Sequence, residues 1–349
     1  MRRRAGLRAL GALALAVVLA FGGAPAQAIE ARIFPFTALD GWEGEDHGEA
    51  FDVFLRICPD LNRGEWGAVC AFARSDPDPR MFFETFFRPV LIGPEDDDAL
   101  FTAYFEPELP ASRVPDGRHR WPVYRTPPEL RPGTPFLTRA EIENTGALSG
   151  RGLEIAWLRD PVDLYYLQIQ GSGRLRFADG SVLRLGYGGQ NGHPRRLVAQ
   201  EMVRRGIVPA HRASAPVIRN WVQQNPGAGR ALLQHDPSYV FFRVLRDQST
   251  APGPRGAMNR ALVPGRSIAV DPAFTPLGAP VWVEKDGDSP LRRLMFAQDT
   301  GGAIRGPQRA DIFIGTGDAA GSAAGRIRDP GRMVVLLPIE QAFTLALDD

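Results

Sequence analysis

Three aspartates occupy positions where a chain can carry out proton chemistry. Ser267-Ile268-Ala269-Val270-Asp271-Pro272 puts one acid at the end of an apolar strand. Phe296-Ala297-Gln298-Asp299-Thr300-Gly301-Gly302 puts a second at another strand end, leading into a glycine-rich turn, and Arg309-Ala310-Asp311-Ile312-Phe313-Ile314-Gly315 puts a third inside a strand. In an alternating strand Asp311 and Phe313 share one face, while Ala310, Ile312 and Ile314 share the other. A carboxyl beside an aromatic is partly desolvated, which raises its pKa and favours the protonated form. Cleavage of a glycosidic bond needs such a general acid; an Asp that faces solvent or caps a turn supplies nothing of the kind. Asp299 precedes Thr-Gly-Gly and Asp271 precedes Pro, positions at which an Asp accepts backbone N–H bonds. Asp299 reads as an assisting acid that stabilises a transition state, and Asp271 as an organiser of the site. Gly301 and Gly302 suit either close approach of a ligand to the backbone or a tight turn.

Strands must carry these acids, and the chain supplies them. From Tyr239 onward the segments YVFFRV, SIAV, PVWVE, RLMFAQD, ADIFIG and MVVLLP all read as strands. Earlier strand-like pieces are Leu100–Tyr104 and Trp121–Arg125. Leu164–Gln170 (LYYLQIQ) alternates and is rich in β formers, and two turns then lead into Leu175-Arg176-Phe177 and Val182–Leu185, a meander of hairpins. Helical spacing appears at Asp52–Cys58, at Met81–Val90 and across residues 194–225, most clearly at Leu197–Val203. Thr138 with Glu141 forms a capping-box signal. The 38 glycines and 31 prolines favour many short strands joined by tight turns over a helix bundle. The expected fold is mainly β with some helices: a C-terminal β-barrel and a second β-rich unit earlier in the chain.

Composition narrows the partners. A chain of 349 residues favours two domains, and 44% hydrophobic with 23% charged residues is a folded composition. Residues 1–28 read as an export signal: Arg2, Arg3, Arg4 and Arg8, an apolar run from Leu10 to Phe21, then Ala26-Gln27-Ala28. That segment carries four arginines and no acid, so its removal takes the formal net charge from +1 to −3. A mildly acidic protein has no electrostatic case for nucleic acid or anionic lipid as main partner. Cys58 and Cys70 read as structural, either paired in an oxidising compartment or as two buried thiols. The five histidines are scattered without ligand spacing, and no nucleotide fingerprint is present, so neither metal nor organic cofactor is expected.

The segments AVDPAFTPLG (269–278), AQDTGGAIRG (297–306), RADIFIGTG (309–317) and GRMVVL together resemble the three-aspartate domain of the membrane-bound lytic murein transglycosylase A family. Upstream, FTAYFEP (101–107), WPVYRTP (121–127), FLTRAEIE (136–143), LYYLQIQGSGRL (164–175), GYGGQNG (186–192) and DPSYVFF (236–242) resemble the same family, in order along nearly the whole chain after the leader. The resemblance implies a double-psi β-barrel built from residues 29–106 and 238–349, a β domain inserted at 107–237, and a glycan-binding groove between them. It implies that Asp311 is the catalytic acid and that Asp299 assists. It further implies that Tyr104, Glu106, Gln168 and Gln170, with Asp271, Gly301 and Gly302, line the groove, packing and turn roles being the alternatives. The partner implied is the glycan strand of peptidoglycan, cut with formation of a 1,6-anhydro end. Lipoprotein members of the family carry a Cys just after the signal; here Ile29-Glu30 follows instead. A free periplasmic enzyme is therefore expected. An inverting glycoside hydrolase on the same scaffold and a non-catalytic wall-binding module are the competing readings.

Overall fold

The computed structural model describes residues 30–62, 64–94, 98–245 and 253–347, and the expected leader at 1–28 lies outside them. In chain order the strands are β1 (Ala31–Ile33), β2 (Phe87–Ile92), β3 (Leu100–Glu106), β4 (Glu108–Ser112), β5 (Trp121–Tyr124), β6 (Glu154–Leu158), β7 (Gly173–Arg176) and β8 (Val182–Gln190). They continue as β9 (Val240–Leu245), β10 (Ser267–Val270), β11 (Pro280–Lys285), β12 (Leu291–Thr300), β13 (Arg309–Thr316), β14 (Arg328–Asp329) and β15 (Gly331–Pro338). The helices are α1 (His47–Ile57), α2 (Gly64–Ala73), α3 (Pro79–Phe86), α4 (Arg139–Thr145) and α5 (Pro161–Gln170). After them come α6 (Val198–Arg204), α7 (Ala215–Gln224), α8 (Pro226–Leu233), α9 (Asp318–Ala324) and α10 (Ile339–Leu347). The architecture is sheet-rich with helices packed around it.

Two sheets organise the molecule. A nine-stranded sheet runs β1-β2-β15-β11-β12-β10-β13-β3-β14, and a six-stranded sheet runs β5-β6-β4-β7-β8-β9. The first joins the N-terminal strands β1, β2 and β3 to the C-terminal ones, so segments more than two hundred residues apart share one sheet. Its pairs are mostly antiparallel, but β10 lies parallel to β12 and β13 parallel to β3. Parallel neighbours cannot be joined by tight turns, so both pairs require long connections. The alternation read in ADIFIG holds: Ala310 and Ile312 enter an apolar core with Phe101, Ile268, Val270, Val281 and Met295. A second core, dominated by Phe51, Phe54, Phe82, Phe83 and Phe87, glues α1 and α3 to the opposite side of the sheet. Cys58 and Cys70 form a disulfide within this helical layer.

The structure corrects several local expectations. Leu164–Gln170 is helix, not strand: it belongs to α5, which starts at an Asp160 cap accepting from the Val162 N–H, has Pro161 in its first turn and ends at left-handed Gly171. Helix signals at both ends outweigh the β propensity of the Tyr-Tyr-Leu centre. The meander therefore reduces to the hairpin of β7 and β8. Met81–Val90 splits, since the helix stops at Phe86 and Phe87 already begins β2. The capping box at Thr138 forms as read, with both reciprocal bonds present. Strand β9, expected with the segment 238–349, pairs with β8 and so completes the six-stranded sheet.

A buried ionic joint connects the two sheets. Glu106, at the end of β3, is fully buried and receives Arg184 of β8 at 2.8 Å and Arg174 of β7 at 2.9 Å. The Thr316 hydroxyl of β13 donates to the same carboxylate at 2.9 Å. Helix α5 adds a polar contact to β3, where the Phe105 N–H donates to Gln170 Oε1. On the other flank α9 lies directly over β3, because Gly321 admits the Phe105 ring where a Cβ would collide with it at 2.7 Å.

Candidate active site

The short strand β10 sits between β12 and β13, and Ala269 is the register partner of Asp299 on one side and of Asp311 on the other. Two strand spacings put the aspartate Cα atoms about 10 Å apart. They face one another closely enough for the charge of Asp311 to raise the pKa of Asp299. On β10 the residue between them is Ala269, with a methyl side chain. Strand β3 completes the site on the far side of β13, with Thr102 opposite Asp311 and Tyr104 opposite Phe313.

Asp311 is mostly enclosed, and burial pushes its pKa above the ordinary Asp value. The Thr102 hydroxyl donates to its Oδ1, and nearby Arg309 pulls in the same downward direction; burial outweighs both. Arg309 Nη2 in turn donates to Thr102 Oγ1 at 2.8 Å. Phe313, on the same face of β13, is fully buried and its ring packs against Tyr104 at a tilt, centroids 5.4 Å apart. Phe313 is the aromatic neighbour that the sequence pattern anticipated on this face.

Asp299 is held far more tightly. Its Oδ1 accepts the N–H groups of Ala257 and Thr300, each at 2.9 Å, and its Oδ2 accepts the Tyr104 hydroxyl at 2.8 Å. Burial raises its pKa, while these three donors oppose the rise. Burial and the adjacent Asp299 keep the Tyr104 phenol well above its usual pKa, so it stays a donor.

Asp271 anchors the turns that frame the site. It accepts from Ala273 and Gly306 N–H groups at 3.2 and 3.0 Å, and Arg305 lies 3.8 Å away. The Gly306 bond leads the causes that lower its pKa. Its position before Pro suggested acceptance of backbone N–H bonds, and these two are of that kind. Gly302 is exposed and faces open space, whereas a Cβ at Gly301 would meet Ile304 at 2.7 Å. Gln170 is partly exposed beside β3. Glu106 and Gln168, expected in the groove wall, are not at its surface: Glu106 is the ionic joint, and Gln168 is buried with its Nε2 donating to Val240 O at 3.3 Å. Both were assigned from motif position, which carries no information on which way a side chain turns. Thr102, Arg309 and Ala269 are site residues that sequence reasoning missed. The available signal was Thr102 two places before Tyr104, hence on the same strand face. Among the described residues no group of three or more His, Cys, Asp or Glu is placed to hold a metal ion.

Residues 100–243 match the family model for the MltA specific insert domain, and residues 266–337 match that for the 3D domain. The chain is 34% identical over 251 residues to the membrane-bound lytic murein transglycosylase A of Vibrio cholerae, a match covering 69% of this chain and 66% of that protein's length. Among solved structures, the membrane-bound lytic murein transglycosylase of Agrobacterium tumefaciens is 32% identical with a TM-score of 0.79, covering 90% of this chain and 99% of that one. Escherichia coli MltA with bound chitohexaose is 30% identical with a TM-score of 0.68, covering 84% and 90%. The chain belongs to the membrane-bound lytic murein transglycosylase A family. The six-stranded sheet falls largely within the insert-domain match, β9 as far as Arg243, and all three aspartates fall within the 3D-domain match.

Proposed function

We propose that this chain is a lytic transglycosylase that cleaves the β-1,4 bond between N-acetylmuramic acid and N-acetylglucosamine in peptidoglycan, with Asp311 as acid and then base. The observation that carries the reading is the unequal pair of carboxyls. Both carboxyls have raised pKa values, but Asp311 has one oxygen engaged by Thr102, while both Asp299 oxygens are occupied by donors that favour its charged form. In an ordinary glycosidase a second carboxylate activates water or attacks carbon. Asp299, tied to three donors, is poorly suited to accept a proton from water, but its negative charge suits a developing oxocarbenium ion. The nucleophile is then best supplied by the substrate itself. Asp311 protonates the glycosidic oxygen as the bond to the anomeric carbon breaks, and the muramic acid C6 hydroxyl closes on that carbon. Asp311 takes the hydroxyl proton, which returns it to its starting state. A tethered hydroxyl reaches effective molarities of about 10⁵ M or more and so outcompetes water.

The chitohexaose held by the E. coli relative supports a glycan strand as ligand here. We assign the nine-stranded sheet as a double-psi β-barrel, a reading supported by the parallel pairs β10–β12 and β13–β3, with the glycan groove between it and the inserted domain. The leader at 1–28 makes the protein an exported, periplasmic one; among the described residues no helix is long and apolar enough to cross a membrane. An inverting hydrolase is the second reading, because a Cα spacing of about 10 Å leaves room for carboxyls at the separation such enzymes use. Digestion of peptidoglycan in ¹⁸O-labelled water separates the two. A transglycosylase leaves its products unlabelled, and label at the new sugar end would establish hydrolysis.

A further inference from the structure

We propose that Arg309 and Thr102 form a positioning relay that fixes which oxygen of Asp311 carries the catalytic proton, an inference that rests on the acid role of Asp311 argued above. The geometry leaves little freedom. Arg309 Nη1 donates to the carbonyls of Ala310 at 2.5 Å and Leu100 at 3.2 Å, and this clamps the guanidinium against β13 and β3. Its Nη2 then reaches Thr102 Oγ1. A guanidinium has donors only, so it occupies a lone pair of the hydroxyl and cannot receive its proton. The single Thr102 proton is directed to the other neighbour, Asp311 Oδ1. With Oδ1 already accepting, the proton of the neutral acid belongs on Oδ2, which has no hydrogen-bond partner among the described residues. The relay thus fixes the rotamer of the carboxyl and presents the proton at the oxygen left for substrate. Neither residue touches the glycan in this scheme; both act through Asp311.

The charged and titratable groups facing Asp311 are Arg309 on its own strand, Tyr104 on β3 and Asp299 on β12. Arg328 on the edge strand β14 is the register partner of Thr102, and its charge acts on Arg309. Donation by Thr102 favours the carboxylate, so its removal moves the alkaline limb of the activity profile to higher pH. A substitution acting only through packing would leave that limb in place.

The test is steady-state kinetics of the full chain on purified peptidoglycan, comparing T102V with T102S and R309M with R309K. Loss of one hydrogen bond to an ionisable group predicts kcat reduced about 10- to 100-fold in T102V. KM should hold within about twofold, because the interaction is not made to bound glycan. T102S, which keeps the hydroxyl, should recover most of the lost turnover with the limb at its wild-type pH. R309M should shift the limb in the same direction as T102V, and the double variant should be no worse than the worse single. If T102V does not fold, the limb of R309M against R309K decides the matter. Equal limbs and equal kcat for the Val and Ser variants, or an unmoved limb in R309M, would overturn the relay. Asp311→Asn run alongside keeps the two claims apart: wild-type turnover in that variant removes the acid assignment itself, whereas an inactive Asp311→Asn beside an unmoved T102V sinks the relay alone.

Discussion

At Asp311 burial and hydrogen bonding oppose each other, and burial wins. The acid form therefore persists to higher pH than for an exposed Asp, and activity should fall as pH rises through this raised pKa. The same shift has a cost in stability. A group whose pKa is higher folded than unfolded contributes fully below its unfolded pKa, and that contribution is lost as pH rises through the folded value. Asp311→Asn should accordingly melt a few degrees higher than wild type near pH 7, an advantage that disappears below about pH 4. A scan of Tm against pH checks this; a lower Tm for the variant at neutral pH would contradict it. For the chemistry, Asp311→Asn should lower kcat by about 10³-fold or more, and Asp299→Asn by about 10²-fold, with both still binding glycan. Asp311 was legible because Phe313 shares its face and because its motif resembles a family. Thr102 and Arg309 were not, since the Thr102–Asp311 contact spans 209 residues of sequence and exists only through the parallel register of β13 on β3.

Strand β10 is only four residues long, yet it sets the spacing of the two acids. Ala269 lies between them and is 4% exposed, so a larger side chain there has to push into the space separating the carboxyls. Ala269→Leu should reduce kcat/KM by about 10²-fold through misplaced acids, since a displacement of an ångström in a catalytic group costs that much. Measured kinetics beside a wild-type melting curve would show it, and unchanged kcat/KM would mean that Ala269 is a spectator. The strands that carry the acids were readable from apolar runs ending in Asp-Pro, Asp-Thr-Gly-Gly and Gly-Thr-Gly. Helix α5 was not, because its Tyr-Tyr-Leu-Gln-Ile centre alternates like a strand. The deciding signals were the flanking Asp160-Pro161 and Gly171, a start and a stop at helical spacing. The buried set Val162, Leu164, Tyr165, Leu167 and Gln168 contains adjacent pairs, which strict strand alternation would not bury on one face.

Over the whole molecule, the two sheets meet at Glu106. Its carboxylate holds Arg174 and Arg184 from one sheet and Thr316 from the other, with Glu106 wholly buried and Arg184 nearly so. Removing one partner from such a cluster strands the remaining charge, so Glu106→Ala should destabilise the protein by about 3–5 kcal/mol. Urea unfolding measures this, and a loss below about 1 kcal/mol would show that the joint is solvated and weak. The sequence placed Glu106 in a motif but could not show that it faced two arginines 68 and 78 residues away. That the chain forms strands both before and after residue 238 was legible in broad outline from strand density and motif order. The return of β9 to the second sheet was not, because an apolar strand carries no label for its partner. In the proposed mechanism Asp311 alone works as acid and base while the substrate closes on itself. This is tested most directly by mass spectrometry of muropeptides released from purified peptidoglycan by wild type and by Asp311→Asn. Wild type should release anhydro-muropeptides, one water lighter than their reducing counterparts, and the variant none. Reducing-end muropeptides from wild type, or anhydro products at wild-type yield from Asp311→Asn, would contradict this mechanism.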